Sequence, residues 1–526
     1  MTGIRPERER LMAALAIAVS LLFGLALRLF RWDAIPPGPW IDEALVLRAA
    51  RSLAADPGSP LFGTMPLLPP EAGFQNAFVP NLYLRIAARV DAAAGGGMAS
   101  VRALSIGPSL LLLAGVALLA FEALRGRPAA AAAGVFLAAT STWLLTTARW
   151  GWNALFSSAL LVLAAWAALV ALRKGALFWS LVSGALVGLS VYGYQAARLS
   201  LALPLFIFLA LLLRPPREGK GPLRLAAGAA AASLLVAGPL LVDGLRHPDR
   251  AFARERELLV LARPPEAAFH AFAENVRDYG ALFLVGGDTN ERHGDPGRPV
   301  LPAPVLGFLL AGTGVALARR GPERLFLLVA ATLLAGGLLA RETSGANAYR
   351  ISPAAPFLIV LAACGLGALL EAVPPRHRRS AGLVALGLVL LSGLGEAEAF
   401  FSWGTSPRTW GAFGGPEREL ADAIAGAQAT AGPLPVLLGA GAARNHYVVD
   451  VLLGRPGDGG RRRTLFVGAR GERALDDLAG PLLYADDGTL LGTGRAGGRA
   501  RLLRRGADPW GSPTFALYRV DPAPGP

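Results

Sequence analysis

Long apolar runs recur along the chain until about residue 395, and they constrain the fold more than any other feature. They lie at roughly 11–30, 103–124, 129–147, 155–172, 177–194, 199–213, 225–242, 300–318, 325–340, 351–370 and 380–394. Runs approaching twenty apolar residues match the hydrocarbon thickness of a bilayer. Lipid offers no partner for backbone N–H and C=O groups, so each run must close its hydrogen bonds as a helix. The pattern predicts an all-α polytopic membrane bundle of about eleven transmembrane helices. Gly and Ala within the runs predict close helix packing.

Basic residues set the expected sidedness. Arg5, Arg8 and Arg10 precede the first run, and alternate loops then carry further basic groups. These are Arg125 with Arg127, Arg173 with Lys174, then Arg214, Arg217, Lys220 and Arg224. Arg319, Arg320, Arg324, Arg376, Arg378 and Arg379 complete the series. All fall on one side if about eleven helices alternate, which makes that side cytoplasmic. The first run is too long for a signal-peptide core and reads as a retained span with its N-terminus in the cytoplasm. The opposite face then receives an outer loop at 31–102, a second large outer loop at 243–299, and everything after residue 395.

Composition agrees. Of 526 residues, 53% are hydrophobic and 17% charged, too apolar for a soluble chain of this size. The formal charge of +14 is almost all Arg, with Lys only at 174 and 220. Much of that charge sits in short loops between spans, which argues against a nucleic-acid partner. The single cysteine, Cys364, lies in an apolar run and excludes both an intramolecular disulfide and a Cys-based metal site.

Residues 1–395 therefore read as the transmembrane domain and 396–526 as a small soluble extracytoplasmic α/β domain. The tail has strand-like runs at Pro435–Leu438, Thr464–Val467 and Phe515–Val520, and a helix-like run at Glu417–Gln428. Its Leu438–Arg444 segment starts like a dinucleotide fingerprint, but Arg444 replaces the third glycine, so a turn after a strand is the better reading. In the first outer loop, Ala44–Ala55 and Tyr83–Ala94 have helical apolar spacing. They read equally as interfacial helices or as packed loop helices.

The chemistry-bearing residues gather at the outer helix ends. Where the first span finishes, a Pro-Pro-Gly-Pro turn leads through Trp40 to the adjacent acids Asp42 and Glu43. Acids at the mouth of a span are costly and point to function. Neighbouring residues do not share a helix face. One carboxylate therefore reads as a general base, and the other as orienting it or binding a metal.

Arg149, Arg198 and Arg350 lie at outer turns, the last two beside Tyr194 and Tyr349, and form a candidate phosphate cradle. In the second large loop, Asp288, Glu291, His293 and Asp295 are candidate ligands for a divalent metal, without a strict ligand spacing. Gln75 to Tyr83 offers amides and aromatic rings suited to a sugar.

Together these segments resemble the membrane glycosyltransferases of the dolichyl-phosphate-mannose protein mannosyltransferase family, which have the GT-C fold. The resemblance runs through PPGPWIDEA at 36–44, Ala148-Arg149 with Asn153, YGYQAAR at 192–198 and GDTNERHG at 287–294. It continues through AYRISPAAPF at 348–357 to Phe400, Phe401 and Trp403, covering roughly residues 10–405.

It implies a bacterial inner-membrane enzyme that moves a sugar, with inversion, from a polyprenyl-phosphate donor to a lipid, glycan or protein hydroxyl. Asp42 would be the base and Glu43 its support. Arg149, Asn153, Tyr194, Arg198, Arg292, His293 and Arg350 would bind the donor and its phosphate. The resemblance leaves metal dependence open. A transporter or flippase of lipid-linked sugars is the rival reading. It would show internal repeats and mid-span ionisable residues.

Overall fold

The computed structural model describes residues 6–67, 78–151, 153–213, 221–286, 288–319, 321–341, 345–439, 442, 445–454, 465–467, 480–487 and 497–522. Arg5, Gln75, Asn76, Arg214, Arg217, Lys220, Gly287, Arg320, Arg444 and Thr464 lie outside the described residues.

In chain order, α1 spans Pro6–Leu29, α2 Ile41–Ala54, β1 Thr64–Pro66, β2 Phe78–Pro80, α3 Asn81–Ala94 and α4 Gly97–Ala123. Next come α5 (Pro128–Thr140), α6 (Thr142–Ala148), α7 (Ala154–Lys174), α8 (Leu177–Ser190), α9 (Ala202–Leu213) and α10 (Gly221–Arg246). The short α11 (Pro248–Ala251) and α12 (Ala253–Leu258) lead to α13 (Pro265–Leu284), α14 (Ala303–Ala318), α15 (Glu323–Leu338), α16 (Ala355–Ala372) and α17 (Arg378–Gly404). The tail holds α18 (Pro407–Ala412), α19 (Gly415–Ala431), β3 (Val436–Leu438), α20 (His446–Leu453), β4 (Leu465–Val467), β5 (Leu482–Asp486), β6 (Ala500–Ala507) and β7 (Pro513–Val520).

Each apolar run of the sequence coincides with a helix, but not every helix is a full span. Among the described residues, 6 helices are long and apolar enough to cross a membrane, or up to 8 if each bent pair is one span. The run at 129–147 breaks at Ser141 into α5 and α6 with a 52° bend. Thr142 N–H, freed at that break, donates to the Glu396 carboxylate at 3.0 Å. The figure of about eleven treated α8, α9, α14 and α15 as whole spans. All four are shorter than the 18 residues of a full span.

The chain divides into two compact units. The first comprises Met1–Phe30, Pro60–Tyr83 and Ser105–Phe401. Its continuous apolar core is drawn from α4, α5, α7, α14, α15 and α16. Small residues set the close crossings, as the composition predicted. A Cβ on Gly312 of α14 would lie 2.0 Å from Leu361 O of α16, and one on Gly365 the same distance from Phe308 O. The buried Arg28 of α1 donates to Ala139 O of α5 at 3.0 Å and to Ser109 Oγ of α4 at 2.5 Å, joining the three helices.

The second unit comprises Arg31–Ser59, Leu84–Leu104 and Ser402–Pro526. Its sheet has the order β4-β3-β5-β7-β6. β3 is parallel to β4 and β5, while β7 is antiparallel to β5 and β6. One sheet face packs Leu438, Leu483, Phe515 and Leu517 against Leu420 and Ile424 of α19. α2 is packed rather than laid on a surface: Leu45, Val46, Leu47, Ala50 and Leu53 are all buried. It lies against α20, where Arg48 stacks 4.9 Å over the Tyr447 ring. Arg51 forms a 2.7 Å ion pair with the buried Asp91 of α3 and also donates to Val451 O.

Candidate active site

The acidic motif belongs to the second unit. Pro36, Pro37 and Pro39 have no N–H, so the turn cannot pair its carbonyls within itself. Two arginines serve them from outside. Arg102, wholly buried, donates through Nη2 to Pro36 O at 2.7 Å and to Gly38 O at 3.0 Å. Arg418, in the first turn of α19, donates to Pro37 O at 2.8 Å and also to Asp33 O. Gly38 is required by contact: a Cβ there would lie 2.2 Å from Phe413 O.

The turn delivers Trp40 in an extended conformation as the N-cap of α2. An indole has no acceptor to offer the helix N-terminus. Glu43, at the third helical position, instead reaches back and accepts the Trp40 backbone N–H at 2.6 Å, the acidic half of a capping box. Its other oxygen lies 3.5 Å from Arg102 Nη1, and the residue is 1% exposed. Asp42 differs. It is half-buried, and Oδ2 accepts the Trp40 indole N–H at 2.8 Å. The two adjacent acids are thus divided into one locked beneath the helix start and one held at its margin.

The remaining sequence candidates lie in the first unit, where ring contacts bring two of them, Tyr194 and His293, to Tyr349. Trp150 and Tyr349 stack with centroids 5.0 Å apart at 29°, and His293 stacks on Tyr349 at 6.0 Å and 24°. Tyr194 meets Tyr349 edge-on at 5.8 Å, and Trp150 lies 5.4 Å from His293. The chain next to these rings carries Arg149, Arg292 and Arg350.

Asp288 organises this cluster. It is paired with His293 Nδ1, accepts Ala348 N–H at 2.7 Å and takes Asn290 N–H at 2.8 Å. Both side chains of the pair are nearly buried, 4% and 7% exposed. The bond engages Nδ1 of the imidazole and fixes the orientation of the ring. Trp143 Nε1 donates to Ala348 O at 2.9 Å, which ties the same loop to α6.

Individual arginines have different surroundings. Arg149 is fully buried, with Nη2 capping the end of α1 through Leu27 O at 2.6 Å and Phe30 O at 2.8 Å. Its guanidinium also lies 5.6 Å from the Phe400 ring centroid. Arg198 donates to Ala251 O at 2.7 Å, and Arg292 Nε to Asn290 Oδ1 at 2.8 Å. Arg350 is half-buried, its backbone N–H accepted by Asn347 Oδ1 at 2.9 Å. Asn153 Nδ2 donates to Gly193 O at 2.7 Å, fixing the turn that presents Tyr194.

Among the described residues, no three His, Cys, Asp or Glu side chains converge as a metal site. Asp288 and His293 bond each other, while the Asp295 carboxylate accepts Gly297 N–H at 3.1 Å. Trp150, Asp288 as the partner of His293, Arg102 and Arg418 were not singled out for these roles from sequence. Arg102 had a readable signal: it is a lone charge at the head of a long apolar run.

No protein-family model matches the chain, and no curated protein matches it. Solved structures do. ArnT from Cupriavidus metallidurans bound to undecaprenyl phosphate is similar over 98% of this chain and 99% of its own, with TM-score 0.56 and 14% identity. Apo ArnT gives TM-score 0.55. The Archaeoglobus fulgidus oligosaccharyltransferase AglB, in complex with an inhibitory peptide and a dolichol-phosphate, matches at TM-score 0.50 and 13% identity, over 96% of this chain and 74% of its own. This chain has a GT-C-like fold. The likeness extends through the tail, and it does not single out the protein mannosyltransferases.

Proposed function

We propose that the chain is an integral membrane glycosyltransferase that moves a sugar from a polyprenyl-phosphate donor to an acceptor hydroxyl on the outer face of the cytoplasmic membrane. The observation that carries this reading is the division of labour between Asp42 and Glu43. Glu43 is buried and paired with Arg102, while Asp42 is half-buried and accepts the indole N–H of Trp40. That suits one general base with its support.

In the proposed step Asp42 takes the proton of the acceptor hydroxyl as its oxygen attacks the anomeric carbon. The bond from that carbon to the phosphate oxygen breaks, the configuration inverts, and polyprenyl phosphate leaves carrying the negative charge. Such a leaving group needs cationic and N–H donors already in position. Arg198, Arg292, Arg350 and His293 are the proposed donors, with Arg149, Asn153 and Tyr194 shaping the cluster. Trp150 and Tyr349 give it a rigid floor. The ligands named for the structural neighbours, undecaprenyl phosphate and dolichol-phosphate, support a polyprenyl carrier.

The test is a strain lacking this chain, complemented with the wild-type protein or with Asp42→Ala. Mass spectrometry of surface glycans should show a sugar restored by the first and missing with the second, at equal membrane levels. Restoration by Asp42→Ala would refute the enzyme reading and favour a transporter or scaffold.

A further inference from the structure

We propose that Arg102 and Arg418 are positioning residues that aim Asp42 by gripping the proline-rich turn from two sides. The inference rests on the reading of Asp42 as the base. Four carbonyls of the turn, at Asp33, Pro36, Pro37 and Gly38, accept from these two guanidiniums. Three prolines among Pro36 to Pro39 remove the N–H groups that would otherwise hold the segment. Its conformation is therefore imposed from outside.

Arg102 reaches further, to Glu43, and Glu43 holds the backbone of Trp40, whose indole holds Asp42. A continuous chain of polar contacts links the buried guanidinium to the proposed base. Arg418 brings α19 of the tail domain into the same device.

Lysine cannot replace Arg102. A single ammonium lacks the planar fork that serves two carbonyls through one nitrogen and a carboxylate through the other. A base displaced by about 1 Å loses on the order of 10²-fold in rate while ground-state binding need not change.

The experiment compares Arg102→Lys, Arg418→Gln and Asp42→Asn as full-length protein in nanodiscs. Transfer is assayed with the lipid-linked sugar fraction extracted from the source membranes, and binding with undecaprenyl phosphate as the probe. Arg418 is part-exposed, so its variant folds even if the Arg102 variant does not. The expected result is a kcat at least about tenfold lower in both arginine variants. Donor KM, undecaprenyl phosphate binding and the thermal midpoint should stay within about twofold or a few degrees of wild type.

Wild-type turnover in Arg418→Gln and Arg102→Lys, with Asp42→Asn inactive, would overturn this inference alone. Loss of turnover only in proportion to loss of folded protein would overturn it as well, because the arginines would then be structural. An active Asp42→Asn would remove the reading beneath it.

Discussion

The Trp40 indole N–H donates to Asp42 Oδ2 at 2.8 Å, while the backbone N–H of the same tryptophan is accepted by Glu43 at 2.6 Å. One residue thus registers both acids. Trp40→Phe keeps the ring and the capping bond but removes the bond to Asp42. We expect kcat to fall by about tenfold, the scale of one lost orienting hydrogen bond, with little change in donor KM. Steady-state kinetics of the reconstituted variant checks this.

The Asp288–His293 pair predicts a different phenotype. Asp288→Ala strands a nearly buried imidazole and leaves the Ala348 and Asn290 N–H groups without their acceptor. Leaving a buried donor without its acceptor costs about 1–3 kcal/mol. The loop bearing Tyr349 should loosen and undecaprenyl phosphate binding should weaken more than tenfold. His293→Gln, which keeps a donor on the ring side, should cost less. Thermal melting and binding titrations on both variants separate the two effects.

Removing the tail tests its role. From sequence it reads as a separate domain added after the last span. In the structure, Arg31–Ser59 and Leu84–Leu104 fold with Ser402–Pro526 in one unit. Truncation after residue 410 would take away Arg418, the Phe413 backbone against Gly38, and α20 against α2. We expect the truncated protein to lose all transfer and to show early proteolysis between residues 31 and 59. Retained transfer would mean that the acidic turn holds its form alone.

The bundle was legible because lipid leaves the backbone a single solution, and each apolar run became a helix. Span lengths were less legible. A hydropathy window does not register that Ser141 breaks 129–147 or that α8 and α9 stop short. In the tail, β5 is an apolar run that a strand search can find. β6 shows little alternation, with Arg501 to Arg505 all exposed, and only its pairing with β7 defines it. The acids and outer arginines could be picked out by type and place. Which carboxylate is locked and which is held at the margin depends on Arg102, some sixty residues away, and sequence spacing carries no record of that contact.

Glu419 of α19 supplies a pH signature for the second unit. Burial raises its carboxyl above the ordinary range, against the pull of Arg504, and Asp422 adds to the rise. A raised carboxyl binds its proton more tightly in the folded state, so stability falls as pH rises from the ordinary carboxylate range through the folded value. The effect is modest because the group is part-exposed. Glu419→Gln should flatten this part of the curve and raise the thermal midpoint near neutral pH, as calorimetry across pH 4 to 8 would reveal.

The most direct measurement is single-turnover transfer by Asp42→Asn beside Glu43→Gln, each in nanodiscs with the extracted lipid-linked sugar fraction. Asparagine keeps the shape and an acceptor for the Trp40 indole but cannot take a proton. The account predicts a loss of about 10²–10⁴-fold for Asp42→Asn, the usual worth of a general base, with undecaprenyl phosphate still bound. Turnover by Asp42→Asn within a few fold of wild type would contradict it.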